Sequence, residues 1–110
     1  MLTLGLYMAQ RLSAMALAPL VLGHLAVMVY AIQGGLSTAE ILGRTQGSIW
    51  WFLFYGSFVV AVSIHAAIGL RVIVHEVTRL RGPWLEIFTY GTGIVLLFMG
   101  ARAVSAVTML

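Results

Sequence analysis

Two imidazoles stand where little water can satisfy them. His65 lies within residues 49–70, a run without a charged side chain, and His24 lies within residues 12–32, which is equally free of charge. An ionisable group at membrane depth is a functional candidate, because hydrocarbon offers it no partner. Neutral imidazole has two outlets there. A ring nitrogen can hydrogen-bond to a neighbouring helix, which makes the histidine a packing residue. It can also ligate the iron of a haem without burying an unpaired charge. Two deep histidines on adjacent spans, with no acid in mid-span to pair with, favour iron ligation by His65 and His24 over packing.

Glycine accompanies both: Gly69 follows His65 by one turn on the same face, and Gly23 adjoins His24. Either glycine admits a flat macrocycle or a second helix at close range. Arg11 stands at the start of the first span, in Gln10-Arg11-Leu12-Ser13, with Tyr7 one turn earlier. Arginine stays charged and offers several N–H donors, so Arg11 suits a quinone carbonyl or a haem propionate as well as a snorkelling anchor. Tyr7 and Ser13 would add hydroxyl donors to a quinone site. Arg71 admits the same readings as Arg11. His75 and Glu76 read as a solvated helix end. No Ser/His/Asp grouping, metalloprotease motif or phosphate loop is present, so the chain shows no covalent catalysis of its own.

The elements that must position these residues are membrane helices. The chain has 110 residues, of which 62% are hydrophobic and only 8% charged. A soluble domain carries roughly 25% charged residues, and this chain could not cover a water-facing surface. Apolar runs predict spans at about 8–32, 49–76 and 84–106, forming a single membrane-anchor domain over residues 1–110. About 20 residues suffice to cross ~30 Å of hydrocarbon. A polar connection is expected at 36–48 and a second at 76–83. Trp50, Trp51, Trp84, Tyr7 and Tyr30 mark span ends at headgroup level. The first apolar stretch is longer than a signal-peptide core and lacks a basic leader, so no cleavable signal peptide is expected. With no cysteine, the chain forms no disulfide, ligates no iron–sulfur cluster and does no thiol chemistry. Its net charge of +3 is dispersed, which excludes a nucleic-acid surface.

Spacing sets depth. His65 lies fourteen residues from Trp51, roughly 21 Å along a helix, and His24 lies six residues from Tyr30, roughly 9 Å. The two imidazoles therefore differ in depth by roughly 10 Å and cannot clamp one iron together. Either each serves its own haem with a second ligand from another subunit, or only one is a ligand. Arginine counting orients the chain. Arg11, Arg71, Arg79 and Arg81 gather at one end and Arg44 and Arg102 at the other, which places the N-terminus inside and the C-terminus outside.

His65-Ala66-Ala67-Ile68-Gly69-Leu70-Arg71, followed by Glu76, resembles the second-helix signature of the cytochrome b membrane-anchor subunits of succinate dehydrogenase and fumarate reductase. In that signature a haem-ligating His precedes a Gly by four residues, often with an Arg two further on and an acid near the helix end. Gln10-Arg11-Leu12-Ser13 resembles the first-helix motif, in which an Arg and a nearby Ser stand at the quinone site. The resemblance covers most of residues 7–80; the third span adds no motif. Tyr7 stands where some members place a quinone-site hydroxyl, Gln10 replaces a His found in some, and Ala14 replaces a common Gly.

The resemblance implies an all-α membrane protein with three transmembrane helices, part of a heterodimeric haem-binding bundle in the bacterial cytoplasmic membrane. It implies His65 as a haem b axial ligand, and Arg11 and Arg71 as haem propionate or quinone contacts. Tyr7, Arg11 and Ser13 would line the quinone site. His24 matches the di-haem members, whose first-helix histidines serve the outer haem, so one or two haems would be shared with a second anchor subunit. An iron–sulfur subunit and a flavoprotein subunit complete the implied succinate:quinone oxidoreductase, and electrons would pass through the anchor to membrane quinone. Two other readings compete. One is a haem-free anchor or assembly subunit, with both histidines in packing roles. The other is a small transporter, which needs a mid-span carboxylate that Glu40, Glu76 and Glu86 do not supply.

Overall fold

The computed structural model describes residues 2–109. Helices follow one another along the chain as α1 (Leu4–Gly34), α2 (Thr38–Thr45), α3 (Ile49–Thr78) and α4 (Pro83–Thr108). Helices α1, α3 and α4 are each long and apolar enough to cross a membrane. The long axis of the molecule is 48 Å, which spans the hydrocarbon and both headgroup layers of a bilayer of ~40–45 Å. This is an all-α membrane protein.

Local signals fix where each helix starts and stops. Thr3 caps α1 by accepting from the Leu6 N–H at 3.1 Å, so the helix begins a turn before the expected residue 8. Gly35, at φ 120°, ends α1 in a conformation that side chains rarely adopt, and a Cβ there would collide with Glu40. Ser48 caps α3. At the opposite end Arg79 takes a left-handed conformation as the C-cap, and Pro83 opens α4 at a position where its missing N–H costs nothing. Pro19 lies inside α1 without ending it.

The polar connection expected at 36–48 holds the short helix α2. A capping box starts it: the Ser37 hydroxyl accepts from the Glu40 N–H, and the Glu40 carboxylate accepts from the Ser37 N–H. The far end of α2 then caps α4. Thr45 donates to the Val107 carbonyl at 2.6 Å, the Gly47 N–H donates to the Thr108 carbonyl at 2.7 Å, and Gln46 reaches the Met109 carbonyl. Helix α4 thus ends with orphan carbonyls satisfied by the chain itself.

Helix α3 lies between α1 and α4 and packs against both. Small residues set the closest approach: a Cβ on Gly100 would collide with Val59, and one on Gly93 would touch Ala67 at 3.5 Å. The core is thin. Ala61, Ala67, Ile68, Leu85 and Val104 are its buried apolar members, and Ser13 is the buried residue of α1. Most apolar surface faces outward, toward lipid or further helices. An apolar groove of about 370 Å³ runs between α1 and α4 over α3, lined by Leu6, Ala9, Ser63, Ala67, Thr89 and Gly93 among others. Neither His24 nor His65 lines it.

Candidate functional site

Helix α1 brings Ser13 against His65. The Ser13 hydroxyl lies 3.3 Å from His65 Nδ1 and donates to the Gln10 carbonyl one turn back at 3.0 Å. Ser13 is 6% exposed and borders a cleft between α1 and α3, together with Leu12, Ala16 and Ala61. Nε2 of His65 has no hydrogen-bond partner among the described residues. It is not sealed either, since Gln10 Oε1 is the buried, unpartnered side-chain atom found among them. Half-buried His65 therefore turns one nitrogen inward to Ser13 and leaves the other without a partner among the described residues. The Gln10 side chain covers Gly69, with Nε2 3.6 Å from where a Cβ would stand. An alanine at 69 would meet it in ordinary contact.

His24 sits in an aromatic cluster. Its ring packs edge-on against Phe58, with centroids 5.3 Å apart, and against Tyr55 at 6.2 Å, while Trp51 stacks on Tyr55. The ring is half-buried and neither nitrogen has a hydrogen-bond partner among the described residues. Gly23 makes room for this arrangement, because a Cβ there would press on Phe58's neighbour Phe54 at 3.2 Å. His24 follows Ser13 by eleven residues on α1, roughly 16 Å along the helix. Since Ser13 touches His65, the two imidazoles lie far apart in depth and address separate positions.

The arginines divide. Arg11 is exposed and its guanidinium lies over the Tyr7 ring at 5.9 Å. Two residues on, Ser13 points into α3, so Arg11 and Tyr7 form one polar pair and Ser13 belongs to a different face of α1. Arg71 turns toward α4. Its Nη2 lies 2.6 Å from Glu86 Oε1, its Nη1 donates to Thr89 Oγ1 at 3.1 Å, and its side chain is 7% exposed. The Thr89 hydroxyl in turn donates a hydrogen bond to the Leu85 carbonyl at 2.8 Å. His75 bonds through Nδ1 to the Leu80 carbonyl at 2.8 Å and serves the helix end, as expected.

Three features escaped the sequence reading: the Glu86–Arg71–Thr89 group, the aromatic seat of His24, and Gln10 over Gly69. The first had a usable signal. A hairpin turning at residues 79–82 places residues equally distant from the turn side by side, which pairs Arg71 with the first turns of α4.

Residues 1–82 match the family of succinate dehydrogenase/fumarate reductase transmembrane subunits. The chain belongs to that family. The match spans α1, α2 and α3 and stops at the turn into α4. No curated protein and no solved structure matches the chain. Membership makes this a membrane subunit of a succinate dehydrogenase or fumarate reductase complex, and the expectation drawn from the His65 and Arg11 motifs stands at that level.

Proposed function

We propose that this chain is the haem b-binding membrane anchor of a succinate:quinone oxidoreductase, carrying electrons between an iron–sulfur subunit and membrane quinone. The observation that carries the proposal is the state of His65: Nδ1 is engaged by Ser13 inside the chain, and Nε2 has no hydrogen-bond partner among the described residues and is not sealed. An imidazole with one nitrogen tied and the other free is the form that ligates haem iron. His24 offers a second unpartnered imidazole nitrogen nearer the other end of the span, although neither of its nitrogens is tied within the chain, so two haems are proposed, each completed by a ligand from a second anchor subunit.

A bound haem supplies a one-electron carrier between the iron–sulfur subunit and quinone. The chain supplies the rest. His65 and His24 ligate and fix the two depths. The apolar flanks of α1 and α3 exclude water, which raises the electrostatic weight of every polar group nearby. Arg11 and Tyr7 present a cation and a hydroxyl at the inner end of α1, suited to hold a quinone carbonyl or a propionate. Arg71 is committed to α4 through Glu86 and Thr89, and its part in the site is to hold α4 on α3. The proposed orientation keeps the N-terminus and the turn at residues 79–82 on the inner side, with the catalytic subunits.

The test is a reduced-minus-oxidised visible spectrum of the purified complex, together with identification of the co-purifying subunits. A b-type band with flavoprotein and iron–sulfur subunits is expected. A complex lacking the band overturns the proposal in favour of a haem-free anchor.

A further inference from the structure

The geometry points to Ser13 as the positioning residue that fixes the tautomer of His65, and not as a quinone contact. A serine hydroxyl carries one proton and two lone pairs. The Ser13 proton is taken by the Gln10 carbonyl at 3.0 Å. Toward His65 Nδ1, at 3.3 Å, Ser13 Oγ therefore has only a lone pair to offer. The imidazole must donate, so the ring proton resides on Nδ1 and Nε2 keeps its lone pair. Among the described residues the Ser13 hydroxyl is the hydrogen-bond partner found for Nδ1. Ser13 is 6% exposed and borders a cleft between α1 and α3, but both contacts of its hydroxyl, to the Gln10 carbonyl and to His65 Nδ1, lie within the chain. The sequence places Ser13 beside Arg11, but the helix turns the two toward different surroundings.

This assignment rests on His65 being a haem ligand. A ligating histidine whose second nitrogen donates to an acceptor is more electron-rich and held in one ring orientation. Ser13 thus tunes the iron through His65 without touching it. It also couples the haem to the α1–α3 contact, since any slide of α1 along α3 changes the Nδ1 hydrogen bond before it changes the ligand.

The experiment uses the whole purified complex with Ser13→Ala and Ser13→Thr, read by redox titration of the haem and by the low-spin ferric resonance, which reports the imidazole plane. In Ser13→Ala the acceptor is gone, the ligand donates less, and the ferric form loses stabilisation. The midpoint potential should rise, changing the ferric-to-ferrous ratio at fixed ambient potential by about threefold to tenfold, the worth of one such hydrogen bond, where tenfold is about 59 mV. The ferric resonance should shift, and the quinone KM should stay at its wild-type value. Ser13→Thr keeps the hydroxyl and should restore both potential and resonance. A wild-type complex with its b-type band and a Ser13→Ala complex of unchanged potential overturns the assignment alone. So does a raised quinone KM at unchanged potential, which would return Ser13 to the quinone site. A wild-type complex with no b-type band overturns the ligand role of His65 and this inference with it.

Discussion

Arg71 of α3 and Glu86 of α4 form an ion pair of 2.6 Å whose two ends differ in exposure, 7% for the arginine side chain and 47% for the glutamate. The arginine is buried in an apolar helix, and the glutamate reaches it from the first turn of α4. Removing one member of a buried pair leaves an uncompensated charge, which is costly, although a half-exposed partner reduces the loss. Glu86→Gln should therefore destabilise the packing of α4 on α3 by about 1–3 kcal/mol. Thr89→Val should cost less, because the ion pair remains. Thermal inactivation of the purified complex measures both. A Glu86→Gln complex as stable as wild type would mean that Arg71 is held by other partners.

Gly100 and Gly93 lie on one side of α4 but differ in what they tolerate. A Cβ on Gly100 would collide with the branched end of Val59, which is rigid about χ1, whereas a Cβ on Gly93 would meet Ala67 at an ordinary 3.5 Å. Gly100→Ala should push α4 off α3 at a cost of about 1–3 kcal/mol, and Gly93→Ala should be close to neutral. The pair Gly100→Ala with Val59→Ala should recover most of the loss. Thermal stability of the four complexes reads this out, and equal effects of the two glycine substitutions would contradict the packing described.

Glu40 carries a pH dependence outside the membrane. The Ser37 hydroxyl donates to its carboxylate at 2.6 Å, the Ser37 N–H adds a second bond, and Arg44 lies nearby, which together hold its pKa below the ordinary carboxylate range. A carboxylate with a lowered folded pKa contributes stability above its unfolded value and loses it as pH falls through the folded one. The start of α2 should thus be intact at neutral pH and should loosen only below the ordinary carboxylate range. The amide shifts of Ser37 and Glu40, followed by NMR in detergent as pH falls, should move together. Glu40→Gln should show no such transition, and a transition persisting in that variant would sink the assignment.

The three long helices were legible because charge-free length leaves few alternatives in a chain this apolar. The depths of His24 and His65 were legible because helix rise is constant. What the residue order could not show was the offset between helices closely enough to pair side chains. Whether Ser13 meets His65 depends on how far α1 is offset along α3, and that offset is set by residues 35–48 between them. There the Ser37–Glu40 capping box makes a helix of eight residues out of a stretch whose polarity alone reads as a loop. The ion pair of Arg71 escaped for a related reason. Glu86 at the start of a span looks like a headgroup-level acid, and only the hairpin register shows that it reaches one turn inward to a buried guanidinium.

His24 decides between one haem and two. Its imidazole is seated edge-on against Phe58 and Tyr55, and no described residue accepts or donates a proton to it. A histidine kept only for packing would gain from replacement by an apolar ring, because its unpaired nitrogens lose more in hydrocarbon than the ring contacts return. A histidine that ligates iron cannot be replaced without losing the group. His24→Phe should therefore remove one haem per complex, halving the haem measured by the pyridine haemochrome assay. His65→Phe should remove the other, with a different midpoint potential lost in each case. Ring contacts with Phe58 would survive His24→Phe, so loss of haem could not be blamed on a collapsed aromatic cluster. If His24→Phe left haem content unchanged and raised thermal stability, His24 would be a packing residue and the complex would carry a single haem at His65.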